Sequence, residues 1–150
     1  ALLVKEGCQV LLTSRKLDRA QEACKSIADR FQLDVVPMEV RDESQVIQAL
    51  EGAHVARACG AAGIELVKKE LWAASPTLEV VADVNAVPPT GIGGIKPSDD
   101  GKEREGKIAF GALGIGGLKM KIHRASVAKL FEQNDLVMDI EEIYAIGKSL

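Results

Sequence analysis

Apolar residues along this chain recur in two rhythms that alternate. Short β-rich runs such as Val10-Leu11-Leu12, Val35-Val36 and Val80-Val81 are separated by stretches whose apolar positions fall three and four apart. Ala1–Gly7 reads as the last turns of a helix closed by a glycine. Val10-Leu11-Leu12 reads as a buried strand. Leu17, Ala20, Cys24, Ile27, Ala28 and Phe31 share one helical face, which predicts an amphipathic helix over 16–32. A strand follows at Asp34–Val40, where Pro37 lacks an amide and points to a strand start or a sheet edge. Asp42 with Gln45 has the spacing of a capping box, opening a short helix through Val46, Ile47 and Leu50 that Gly52 ends.

The same alternation continues toward the C-terminus. A strand is predicted at Ala53–Cys59, a helix carrying Ile64, Val67 and Leu71, and a further strand at Leu78–Val84. Beyond Pro88-Pro89 come the glycine-rich Gly91–Ile95, a polar stretch over 98–107 suited to a loop or hairpin, and a last strand at Lys107–Phe110. Gly111–Gly117 then opens a helix through Ile122, Ala125, Leu130 and Phe131. A final helix starts at Asp139, with Glu142 at its third position. Helices interposed between short strands indicate βαβ crossovers. The expected class is therefore α/β, a Rossmann-like doubly wound parallel sheet. Ligands of such sheets lie beyond the carboxyl ends of the strands, which marks Ser14–Lys16, Ala58–Gly60 and Asp83–Pro89 as a candidate rim.

Composition narrows the chemistry. The 150 residues are 47% hydrophobic and 27% charged, as in an ordinary globular domain. A net charge of −3 gives no electrostatic reason to expect nucleic acid or a membrane surface as partner. Cys8, Cys24 and Cys59 show no CxxC spacing, which favours reduced thiols and a cytoplasmic setting. His54 and His123 alone frame no metal site, and none is expected.

Ser14-Arg15-Lys16 carries the sharpest signal. At the tip of the second strand of a dinucleotide-binding sheet, a carboxylate bonds the 2′-hydroxyl of NAD, whereas an arginine accommodates the 2′-phosphate of NADP. Here Arg15 and Lys16 stand in the acid's place, and Ser14 adds a hydroxyl. A solvated, incidentally basic helix start is the plain alternative. The G-x-G-x-x-G turn expected one strand earlier has no match, so the sheet is expected to lack its first strand and glycine-rich loop. The chain then reads as a fragment cut just after that loop, a partial nucleotide-binding domain without its N-terminal substrate domain.

Three long segments resemble one enzyme group. Ser14-Arg15-Lys16-Leu17-Asp18, Val81–Ala86 with Pro88–Ile95, and Phe110–Lys119 are similar to the NAD(P)-dependent methylene-tetrahydromethanopterin and methylene-tetrahydrofolate dehydrogenases. The resemblance runs the length of the chain and makes it roughly the C-terminal half of such an enzyme. It implies hydride transfer from the methylene carbon of a tetrahydromethanopterin or tetrahydrofolate carrier to NADP, with NAD a further candidate. A homo-oligomer is expected.

What the resemblance adds can be set beside plainer roles. Ser14, Arg15 and Lys16 would hold the 2′-phosphate. Cys59-Gly60 would pass the nicotinamide ribose, or form only a strand-end turn. Asn85 would bond the carboxamide or the pterin, while Asp83 caps local amides. Gly114, Gly116 and Gly117 would offer backbone contact to the nicotinamide end; close packing is the other use of glycine there. Lys119, with Lys121, His123 and Arg124 in a basic group at the helix start, is the candidate catalytic lysine that contacts and orients the pterin. An NADP-dependent dehydrogenase of another small metabolite, of shikimate type, and a non-catalytic NADP sensor are the competing readings.

Overall fold

The apolar stripes read above are met by twelve elements in the computed structural model, which describes residues 1–150. α1 (Leu2–Lys5) closes as its glycine demands: Gly7 stands at φ 87°, and the Gly7 and Cys8 amides donate to the Val4 and Leu3 carbonyls. β1 (Leu11–Ser14) and α2 (Leu17–Phe31) follow, then β2 (Val36–Glu39) and α3 (Glu43–Leu50). The α3 cap is built by Asp42, which accepts the Gln45 amide at 2.9 Å, while the Gln45 side chain reaches back to the Arg41 amide. β3 (Val55–Ala58), α4 (Lys69–Ala73), β4 (Val80–Asp83), the antiparallel hairpin β5 (Asp100–Arg104) and β6 (Lys107–Phe110), α5 (Ala112–Leu130) and α6 (Ile140–Ser149) complete the chain. At α6 the full capping box forms between Asp139 and Glu142.

The strands lie in two sheets. β1 pairs with β2 in parallel, and β3-β4-β6-β5 form a second sheet that is parallel except at β5. This is a Rossmann-like α/β arrangement in which β1 and β3 each present an edge without a strand partner. Leu11 and Val55 are consequently 40% and 58% exposed, so the Val10-Leu11-Leu12 run is not the buried strand its composition suggests. Burial in a parallel sheet comes from neighbours on both sides and helices on both faces, and β1 has one neighbour. Pro37 fits the edge strand β2 without costing a ladder bond.

A second departure concerns 61–68. Periodicity there suggests a helix through Ile64 and Val67, yet α4 spans only Lys69–Ala73. The backbone has other partners. Leu66 and Val67 both donate to the Gly91 carbonyl, at 2.7 and 3.0 Å, and Gly93 donates to Val67. Donors committed to a distant loop cannot close helical turns.

The core gathers around Trp72, which is 0% exposed and packs in a cluster with Val46, Leu50, Ala58, Leu78, Val81, Ile92, Ile95 and Ala109. The β1–β2 unit lies outside that cluster. α2 covers it through Ala20 and Cys24, and burial pushes the Cys24 thiol up from its ordinary value. Surface ion pairs tie this unit to α6: Lys5 to Glu141, Arg30 to Asp139 and Glu141, and Lys148 to Glu6.

The loop before β5 is fixed by Asp99, a buried carboxylate gripped by Arg104 through Nη2 at 2.6 Å and Nε at 3.0 Å; it also accepts the Lys96 amide at 2.8 Å. The Arg104 guanidinium holds the Asp99 carboxyl below the usual aspartate range. A depressed folded-state value stabilises the fold above the ordinary aspartate value near ~3.9, and that contribution is lost as pH falls through the folded value. Chemical denaturation across this acid range is expected to show a steeper loss of stability in the wild type than in Asp99→Asn. Parallel acid limbs for the two proteins contradict the assignment.

Candidate functional site

The carboxyl ends of the strands carry most of the chemistry. At the end of β1, Ser14 Oγ accepts the Lys16 amide at 3.3 Å, which fixes the turn and leaves the hydroxyl proton free to donate outward. Arg15 and Lys16 are exposed and enter no ion pair within the chain. Parallel pairing sets Ser14 opposite Glu39, so the residues just past β2 fall beside this turn. Arg41 is there: its Nε donates to the Arg15 carbonyl at 3.2 Å and its Nη2 to Glu39 at 2.7 Å. Glu39 Oε1 also accepts the Leu17 amide at the start of α2, at 3.2 Å. Three cations, a hydroxyl and a helix N-terminus thus converge on one turn. This donor set, with the Glu39 carboxylate among it, suits an anionic group such as a phosphate.

The ends of β3 and β4 build a second group. Asp83, 1% exposed, accepts the Asn85 amide at 2.9 Å and the Ile92 amide at 3.0 Å, the local capping role expected of it. Gly91 lies against this carboxylate, and a Cβ there would stand 2.9 Å from the Ala58 Cβ. The loop after Pro88-Pro89 is thereby clamped onto the ends of both strands. Asn85 is buried; its Oδ1 accepts the Val87 amide at 3.0 Å, and its Nδ2 has no partner. An orphaned buried donor costs about 1–3 kcal/mol, so this amide is poised for an acceptor. Cys59 and Gly60 are exposed just past the end of β3, and a Cβ on Gly60 would press on Leu66 Cδ1 at 2.6 Å.

The glycine segment divides. The Gly114 amide donates to the Pro97 carbonyl at 3.2 Å, and a Cβ on Gly114 would overlap the Asp99 carbonyl oxygen. Its amide is engaged and its bare Cα is a packing device. Gly116 and Gly117 sit on the second turn of α5 with open space where a Cβ would project. Lys119 is exposed at the eighth position of α5, without a hydrogen bond or ion pair. Because the helix begins at Ala112, the basic group Lys119, Lys121, His123 and Arg124 lies mid-helix rather than at its start. These cations therefore do not oppose the helix dipole, whose effect is confined to the terminal turns. Arg41 and Glu39 were the residues to add from sequence: applying the strand-end rule to β2 as well as β1, β3 and β4 selects them.

No protein-family model matches the chain. Two curated proteins align with nearly all of it. One, the "Bifunctional protein MdtA" of Methylorubrum extorquens (strain AM1), is 51% identical over 145 residues, covering 97% of this chain and 50% of that protein. The other, from the same organism, is the "NAD(P)-dependent methylenetetrahydromethanopterin dehydrogenase", 30% identical over 150 residues, covering 95% of this chain and 49% of that protein. The chain spans about half the length of the curated relatives it matches. No helix is long and apolar enough to cross a membrane.

Proposed function

We propose that these residues form the nucleotide-binding part of an NADP-dependent dehydrogenase of one-carbon metabolism, which oxidises a methylene-tetrahydromethanopterin or methylene-tetrahydrofolate carrier to the methenyl form. The observation that carries the reading is the convergence of Ser14, Arg15, Lys16 and Arg41 at the paired ends of β1 and β2. The printed name of the 30% identical protein supports the reaction class. In this reading the pterin lies between this domain and a separate substrate domain, and the enzyme works as a homo-oligomer in the cytoplasm.

Bound NADP supplies the hydride acceptor. Everything else required of the protein is placement and charge balance, because the methylene C–H bond breaks as a hydride leaves and no proton moves. Ser14, Arg15 and Lys16 hold the 2′-phosphate and so fix one end of the dinucleotide. Asn85 presents a donor without an accompanying acceptor, since its Oδ1 is spent on Val87, and so selects a carbonyl such as the carboxamide or pterin oxygen. Cys59-Gly60 passes the nicotinamide ribose. Gly116 and Gly117 offer a surface without side chains on α5 for the nicotinamide end; the engaged Gly114 holds that surface in place. Lys119 orients the pterin.

The test follows reduced-nicotinamide absorbance in the natural full-length protein, with each carrier offered in turn. Arg15→Ala with Lys16→Ala is expected to raise the KM for NADP at least about tenfold, with little change for NAD. NADP binding without turnover on either carrier removes the one-carbon reading and leaves a dehydrogenase of another small metabolite or a nucleotide sensor.

A further inference from the structure

We propose that Arg41 and Glu39 together decide between a phosphorylated and an unphosphorylated adenosine ribose, with Arg41 the second arm of the phosphate clamp and Glu39 the carboxylate that competes for it. The inference rests on the NADP reading above and extends it to two residues at the end of β2.

Arg41 is well placed for the role. Its bond from Nε to the Arg15 carbonyl puts the guanidinium against the very turn that carries Ser14, Arg15 and Lys16. A guanidinium has five N–H donors. One on Nε and one on Nη2 are used within the chain, and the remaining ones are free on a side chain that is 64% exposed. The planar fork suits a phosphate presented at the end of β1.

Glu39 explains what Arg41 does without that phosphate. Its Oε1 takes a hydrogen bond from Arg41 and another from the Leu17 amide, the same two donors that a phosphate at this turn would seek. The carboxylate is therefore an internal stand-in for the ligand's anion, and it lies only 27% exposed beside Ser14. Of the other acids near this turn in sequence, Asp42 has its Oδ1 committed to Ser44 and Gln45, and Asp18, in the first turn of α2, accepts the Arg19 amide. A 2′-phosphate draws Arg41 away from Glu39 and meets repulsion from the carboxylate. A plain ribose meets an acceptor for its 2′-hydroxyl. One site thus accepts both nucleotides, and the balance of the two side chains sets the ratio.

The test measures binding of adenosine 2′,5′-bisphosphate and of 5′-AMP to the natural full-length protein by calorimetry at fixed ionic strength, since salt screens exposed charge. Arg41→Ala is expected to weaken the bisphosphate about tenfold and leave 5′-AMP within about twofold. Glu39→Gln keeps a neutral acceptor for the Leu17 amide, so the α2 start is preserved. It is expected to tighten the bisphosphate several-fold and to weaken 5′-AMP. Shifts of opposite sign in the two variants are not produced by general loss of folding, which thermal melts of each variant check. If Arg15→Ala weakens the bisphosphate while Arg41→Ala and Glu39→Gln leave the ratio of the two ligands unchanged, the inference is overturned and the NADP reading stands. If the wild type does not prefer the bisphosphate over 5′-AMP, the NADP reading fails and this inference falls with it.

Discussion

Replacing Gly114 with alanine is expected to destabilise the fold by about 3 kcal/mol or more, at or beyond the upper end of the usual cost of an added methyl in a packed interior. The reason is backbone, not side chain. α5 starts against the 96–99 loop, with the Leu113 and Gly114 amides donating to Pro97 and the Gly111 amide donating to Asp99 at 2.8 Å. A methyl group added at Gly114 would occupy the space of the Asp99 carbonyl, which is itself held by the buried pairing with Arg104. Neither partner can yield without breaking the hydrogen bonds that define the loop. Gly116→Ala and Gly117→Ala provide the contrast, because nothing stands within 4 Å of a Cβ at either position. Each should stabilise α5 by up to about 1 kcal/mol through helix propensity. Urea denaturation of the three variants separates the roles. A Gly114→Ala protein as stable as wild type refutes the packing assignment. Gain of stability with loss of NADP turnover at 116 or 117 is the signature expected of a cofactor-facing surface.

The second large effect lies at Trp72. Truncation to alanine is expected to cost about 3–5 kcal/mol, the range for emptying a fully buried aromatic site. Trp72 joins three parts of the molecule. It sits on the short α4, contributes to the cluster that includes Val46, Leu50, Val81 and Ile92, and donates from Nε1 to the Gly93 carbonyl at 2.8 Å. Trp72→Phe retains most of the apolar contact but leaves that carbonyl without its donor, for an expected loss of about 1–3 kcal/mol. The midpoints of chemical denaturation should therefore rank wild type above Trp72→Phe and Trp72→Phe above Trp72→Ala. Equal midpoints for the two substitutions would mean that the ring's volume contributes nothing, contrary to its complete burial.

How much of this was legible beforehand depended on the range of the interaction. Local signals read well. Asp139 and Glu142 announce their reciprocal cap, Gly7 and Gly52 take the positive φ that ends a helix, and the Leu17–Phe31 stripe forms the helix that its spacing requires. Long-range partners did not read. Val67 belongs to a helical pattern until Gly91 and Gly93, more than twenty residues on, take its backbone hydrogen bonds. Gly114 looks identical to Gly116 in sequence, and only the approach of the 96–99 loop gives them different work. Arg15 and Lys16 could be singled out at a strand tip, but Arg41 joins them solely because β1 and β2 pair in the register that sets Ser14 beside Glu39.

The separation of the strands into two sheets has a mechanical side. A continuous ladder of backbone hydrogen bonds ties strands into one stiff plate, whereas here the strands form two ladders, β1-β2 and β3-β4-β6-β5. The turn at Ser14–Lys16 belongs to the first, and Cys59, Asp83 and Asn85 stand at or just past strand ends of the second. Within these residues the two are joined by α3, whose Val46 and Leu50 sit in the Trp72 cluster, and by exposed ion pairs from α1 and α2 to α6. A ligand long enough to touch both ladders would act as a tie-rod between them. Part of its binding energy would go into holding one against the other, and its two ends would be energetically coupled.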